Sequence, residues 1–322
     1  MSTWVRIGGN ARKLAEITGG FASLNGSTIY RMQLNTHLVL AAVLCLLPPA
    51  IIIHRIIRKR REHRALNQAP FKDLPRRPAG ETLRIKLASL DDQGLDELLG
   101  LLLVPLVLVL GIIFLHPADA VTPIMFLLAS ALSSVIFGNR LSRILKERAN
   151  YQLGFDGERF VGEELSRLIA AGFEIYHDVP FDGFNMDHVV VGPRGVFVVE
   201  TKARRKPVNL AGKKEFRVVF DGKLLQWPWG SDGHGVDQAK NNAQTLAAWL
   251  SSAVGENIWV MPILTLPGWM VDRTAPSKDI GVLNPKEIKP FCSSFQGTLS
   301  GTQITRVCHQ LDQKCRISLE PV

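Results

Sequence analysis

Asn185–Arg205 reads NMDHVVVGPRGVFVVETKARR. Two runs rich in Val and Phe, Met186–Val191 and Val196–Lys202, flank Gly192-Pro193-Arg194-Gly195, which is a turn signal between strands. If Gly192 and Gly195 open and close a tight turn, facing positions sum to 387 and Asp187 stands opposite Glu200. Facing residues of an antiparallel pair hold their Cβ atoms about 4.5–5.5 Å apart. Period-two alternation places Lys202 on the face of Glu200 and His188 on the opposite face. Two carboxylates this close resist joint ionisation unless a proton or a cation intervenes. Asp187 and Glu200 are therefore candidate ligands for a divalent metal, and their oxygen donors suit Mg²⁺ or Mn²⁺. The plainer reading is a solvated Glu–Lys face, and a register slip of one residue would carry Asp187 to the other side.

The surrounding text favours the site. Gly157-Glu158 opens a helix-like ERFVGEELSRLIAAGF, a strand-like EIYHDV follows, and Asp237-Gln238-Ala239-Lys240 begins another helix beyond the hairpin. Gly154, Gly157 and Glu158, then Asp187-His188-Val189-Val190-Val191, then Gly195 to Lys202, and finally Gln238 resemble the NERD (nuclease-related) domain of the PD-(D/E)XK nuclease superfamily. The resemblance covers roughly Tyr151 to Leu266. It implies an α/β, restriction-endonuclease-like fold with a mixed central sheet flanked by helices. It also implies hydrolysis of nucleic-acid phosphodiesters, DNA before RNA. Asp187, Glu200 and Lys202 fall on that superfamily's catalytic triad, Glu158 on its helical acidic position and Gln238 on a further site position. A carboxylate in the first turn of a helix also complements the helix dipole, so a capping role for Glu158 stays open. Gln238 is placed to orient a water, a phosphate or Lys202.

The net charge of +9 invites a nucleic-acid reading until it is located. Residues 151–322 hold 19 Lys/Arg and 19 Asp/Glu, whereas residues 1–150 hold 19 and 10, so the excess is N-terminal. There the chain divides into a head, 1–37, and a membrane region, 38–149. The run 38–53 is short and interrupted by Pro48-Pro49; a basic connector, 54–97, follows. Its later part, ETLRIKLASLDDQGLDELL, suits an amphipathic surface helix. Leu98–Leu115 and Ala120–Gly138 are uncharged over 18 and 19 residues, enough for a transmembrane hairpin. Basic residues flank both open ends, which places those ends in the cytoplasm of a bacterial inner membrane and anionic lipid among the partners. The side of the head depends on whether 38–53 crosses.

Residues 150–322 then form the cytoplasmic domain. Lys202–Lys223 holds eight Lys/Arg against Glu215 and Asp221. Beside a carboxylate site, Arg204, Arg205, Lys206, Lys213 and Lys214 are candidate phosphate contacts. Phe216–Phe220 and Leu224–Trp227 read as paired strands, and Trp227 and Trp229 as core packing before base stacking. Asp237–Ser252 reads as a helix, Ile258–Leu266 as a buried strand with Pro262 marking an edge or bulge, and Thr302–Lys314 as a closing helix. Cys292, Cys308 and Cys315 lack a zinc-ribbon spacing, and no P-loop, dinucleotide fingerprint or nucleophile elbow is present. Two rivals remain: an inactive nuclease scaffold that binds nucleic acid or a protein at the membrane, and a membrane-assembly protein working through its hairpin. No oligomeric state follows from the sequence.

Overall fold

The computed structural model describes residues 76–115, 117, 119–206, 216–275 and 277–316, with positions 51–52, 55 and 58–59 in helical conformation. The head, most of the 38–53 run, much of the basic connector, Lys213 and Lys214 lie outside the described residues.

Two long helices come first, α1 (Glu81–Leu115) and α2 (Val121–Ser166). Both are long and apolar enough to cross a membrane, and none of the residues in their most apolar stretches is buried. They pack antiparallel in one register. Gly100 lies against Phe137, Gly111 against Phe126 and Gly154 against Leu83, residue numbers that in each case sum to 237. Gly100 leaves room for its partner, since a Cβ there would lie 2.4 Å from the Phe137 ring. Below the apolar stretches the register is held by charge: Glu97 with Arg140, Asp91 with Arg148 and Lys86 with Glu147.

Two expectations about these helices are corrected. The stretch from Glu81 is no separate surface helix, because α1 runs through it into the apolar run without a break. Nor does a helix begin near Glu158: α2 starts at Val121, so Glu158 sits deep in its interior. A capping role in a first turn is thereby removed, because interior amides are already bonded to carbonyls one turn back. Along this helix Val161 and Leu165 are buried, whereas Phe160 is exposed.

A short 3₁₀ turn, Ile169–Ala171, leads to the main sheet. Its first strands are β1 (Glu174–Phe181), β2 (Phe184–Gly192) and β3 (Gly195–Thr201). A smaller sheet begins with β4 (Arg217–Phe220), β5 (Leu225–Trp227) and β6 (Gly230–Asp232). Helix α3 (His234–Val254) follows, then β7 (Val260–Thr265), β8 (Met270–Arg273) and β9 (Gly281–Leu283). Helices α4 (Pro285–Ser294) and α5 (Gly301–Cys315) end the described chain, each opened by a capping box, Asn284 with Glu287 and Ser300 with Gln303.

The main sheet has the order β1-β2-β3-β7-β9, antiparallel through β3 and parallel beyond it; the smaller has β6-β5-β4-β8. Helices cover both faces of the main sheet, so its strands read as continuous apolar runs rather than alternating ones. Val196 and Val198 face α3 and α5, while Phe197 and Val199 face α2 and α4. By the same alternation Glu200 points to the α3 side, and Thr201 lies near Gly157 of α2. Pro262 is corrected from an edge to an interior strand. It pairs with Val198 one residue before β9 pairing begins at Ile263, so its missing N–H removes no bond from the β7–β9 ladder.

The residues just ahead of α1 are built into this sheet. Arg76 bridges to Arg316 and pairs with Glu174 and Asp312. Asp178, buried and left-handed at φ 49°, gathers Arg77, Thr82 and Asn185. Arg77 Nε donates at 2.8 Å, and the Thr82 amide and hydroxyl donate at 3.0 and 2.9 Å; Asn185 bonds both Asp178 and the Thr82 hydroxyl.

Candidate active site

The hairpin register is as the turn implies: Gly192 pairs with Gly195 and His188 with Val199. Asp187 and Glu200 therefore stand together where β2 and β3 end. Asp187 Oδ2 accepts the Thr201 amide at 2.7 Å, which ties the carboxylate across the strands. Lys202 follows the last residue of β3, and its own amide donates to Thr265 O of β7 at 2.9 Å. Its ammonium donates to Glu200 Oε1 at 2.7 Å and to Gln238 Oε1 at 2.9 Å. Gln238 thus touches Lys202.

Helix α3 reaches the site because its buried stripe is interrupted by polar groups. Val236, Ala239, Ala243, Leu246 and Leu250 pack inward, and Asn242 is buried among them. Asn242 Nδ2 donates to Glu200 Oε2 at 3.0 Å, so both oxygens of Glu200 are held. Sequence reasoning missed Asn242. The available signal was its place one turn after Gln238, on a face otherwise apolar. It also missed Asp178 and its partners, which depend on a contact between distant parts of the chain.

Helix α2 brings Glu158. A Cβ at Gly157 would lie 2.7 Å from Ala203 Cβ, so this glycine lets α2 press against the chain leaving β3. Glu158 and Asp187 line one cleft of about 460 Å³, together with Thr82, Asp178, Phe184 and Asn185. Gln238, Asn242 and His234 line a second, of about 810 Å³, to which Phe184 also contributes. Glu158 and Asp187 thus open onto one cleft, and Gln238 and Asn242, the partners of Lys202 and Glu200, onto the other.

Burial raises the proton affinity of all three acids. Glu158 is pushed up to about 8, first by burial and then by the charges of Asp178 and Glu200. Asp187 is pushed well above the usual carboxylate range by burial, Glu200 and Glu158, against the Thr201 amide and Lys202. Glu200 is raised by burial although Lys202 and Asn242 pull it down. On the other face His177 and His188 share a 2.8 Å hydrogen bond between their Nδ1 atoms. Burial lowers both, His177 to about 4, and keeps the pair neutral.

A pH dependence follows. Acids with raised affinity make the folded chain bind more protons than the unfolded one, so this contribution is fully present below about pH 4.5 and is lost as pH rises through about 8. Metal-free protein is expected to melt at lower temperature at pH 8.5 than at pH 5. Glu158→Gln should recover about 1–3 kcal/mol of that difference, read as a flatter melting-temperature profile.

Of the candidate phosphate contacts, Arg204, Arg205 and Lys206 are exposed beyond Lys202. Arg204 pairs with Asp232 at 3.4 Å, Arg205 donates to Ala149 O at 2.7 Å, and Lys206 lies over the Trp269 ring. Among the described residues no three His, Cys, Asp or Glu side chains form a ready-made metal cluster.

Residues 153–267 match the family model of the nuclease-related domain, NERD. Searches of curated proteins and of solved structures returned no match.

Proposed function

We propose that this chain, which carries a nuclease-related domain, is a membrane-anchored, metal-dependent nuclease that hydrolyses phosphodiester bonds, of DNA in the first place. The observation that carries the reading is the Asp187–Glu200–Lys202 set, completed by Gln238, Asn242 and Glu158, which open onto two clefts.

The donors fit a divalent cation. Glu200 is buried and Asp187 and Glu158 are partly buried, and the charge of Glu200 raises the proton affinity of the other two, with the Lys202 ammonium bonded to Glu200. Mg²⁺ is commonly held by one or two carboxylates with water and substrate phosphate completing its shell, so a dense protein cluster is not required. Asp187 and Glu200 would hold Mg²⁺ or Mn²⁺, which supplies Lewis-acid polarisation of a phosphoryl oxygen and a more acidic water. Lys202, pinned by Glu200 and Gln238, orients the attacking water and offsets charge on the phosphoryl oxygens. Glu158, whose proton affinity burial and the neighbouring carboxylates raise, would assist through the metal or its water.

The anchor is α1 with α2, whose apolar stretches hold no buried residue. Exposed apolar surface of that extent is suited to lipid. The basic residues after Gly138 favour a domain on the cytoplasmic side of a bacterial inner membrane. Residues 1–37 would be a head, 38–149 the membrane region and 150–322 the catalytic domain, with residues 76–83 lending it a wall.

The test uses the full chain in detergent, with Mg²⁺ or Mn²⁺ titrated against labelled single- and double-stranded DNA and RNA. Metal-dependent cleavage is expected. Tight binding without cleavage under every condition would replace the nuclease by an inactive scaffold.

A further inference from the structure

Beyond Lys202 the chain passes a cluster of three tryptophans. Trp269 is fully buried, and its Nε1 donates to Arg204 O at 3.2 Å. Trp227, also buried, meets it edge-on with centroids 5.0 Å apart. Trp229 lies nearly parallel to Trp227, at 5.4 Å and 13°, and meets Trp269 at 72°. Yet Trp229 keeps 53% of its surface exposed. A large aromatic side chain is thus held rigid by the two rings beneath it while much of it faces solvent.

Charge and position give this surface an occupant. Lys206 Nζ stands 5.9 Å from the Trp269 centroid, and Arg204 is half exposed beside Asp232. Arg204 and Lys206 are two and four residues beyond Lys202, so they lie within about 14 Å of it by chain length. On the other side β6 runs from Trp229's neighbour Gly230 into Gly233 and His234, at the start of the helix that carries Gln238 and Asn242. Trp259 is a useful contrast. It is equally exposed, at 54%, and stacked on Phe295. It precedes Val260, which pairs with Val196 at the far end of β3 from Glu200.

We propose that Trp229, flanked by Lys206 and Arg204, is a ledge on which an unpaired base stacks while its phosphates run past the two cations, so that the substrate class is single-stranded nucleic acid or an unpaired end. In a duplex the bases are stacked on one another and offer no free face except at a terminus, whereas every base of a single strand has one. The inference rests on the nucleic-acid reading above and names the strand form that the site takes.

The test measures binding without cleavage. Full-length protein in detergent with EDTA is titrated against a labelled 12-nucleotide strand, a blunt duplex of the same length and a 12-unit abasic strand. The intact strand is expected to bind at least about tenfold more tightly than the abasic one. Trp229→Ala should remove that preference, Trp229→Phe should keep most of it, and Trp259→Ala should leave it unchanged. Trp229→Ala binding the intact strand like wild type, or losing all three probes equally, overturns the ledge alone. Wild type binding none of the probes overturns both the ledge and the nucleic-acid reading.

Discussion

Glu200→Ala and Lys202→Ala are each expected to lower metal-dependent cleavage by at least about 10³-fold, because groups that act as one unit lose nearly everything when any member is removed. Their effects on stability should diverge. Glu200 is 2% exposed and its proton affinity is raised by burial, so its loss removes a group the fold strains to keep charged. Lys202 retains Gln238 in that variant and has 26% of its side chain in contact with solvent. Lys202→Ala instead leaves Glu200 with Asn242 as its remaining partner. A buried carboxylate that loses its cation protonates or destabilises the fold. Lys202→Ala should therefore melt lower than Glu200→Ala at pH 8, with the gap closing at pH 5. Lys202→Arg should recover stability but not cleavage, because a planar guanidinium cannot occupy the position of a compact ammonium. Equal melting curves with intact cleavage in both alanine variants would remove the site from these residues.

Asp178→Ala is expected to destabilise the protein by about 3–5 kcal/mol, the cost of stripping a buried ion pair of one partner. Asp178 is 3% exposed and takes bonds from Arg77, from the Thr82 amide and hydroxyl, and from Asn185. Removing it leaves the Arg77 guanidinium, with 19% of its side chain exposed, without its carboxylate. Alanine at φ 49° adds a left-handed penalty of roughly 1 kcal/mol that Asp and Asn tolerate better. Asp178→Asn should accordingly lose less, and Thr82→Ala about 1–2 kcal/mol. Thermal unfolding of the full chain in detergent orders the three variants. A protein beginning at residue 150 lacks Arg77 and Thr82 altogether, and should unfold no less readily than Asp178→Ala.

These two sets of residues differ in how they could be read. Asp187, Glu200 and Lys202 follow from a short hairpin, because a Gly-Pro-Arg-Gly turn fixes register and register fixes faces. The strand pair about Asp221-Gly222, helix α3 and helix α5 were legible for the same local reason. The short strands β6, β8 and β9 were not, since three or four residues carry too little pattern to be told from a loop. Pro262 misled because a missing N–H is harmless wherever the neighbouring strand has not yet begun. Asp178 was silent because two of its partners, Arg77 and Thr82, lie about a hundred residues away, and no periodicity encodes that meeting. The helix that carries Glu158 was cut short: a composition shift at Gly138 looked like an ending when only the surroundings of one continuous helix had changed.

That continuity limits how the gene for this protein can vary. Helix α2 has no break between Val121 and Ser166, so one codon inserted between positions 139 and 156 turns Glu158 about 100° around the helix axis relative to everything before the insertion. A seven-codon insertion brings the face back to within about 20°, but only if α1 lengthens equally, because the two helices share one register along their length. Length change here is admissible in matched pairs of about two turns, whereas the loops of the smaller sheet carry no such restriction.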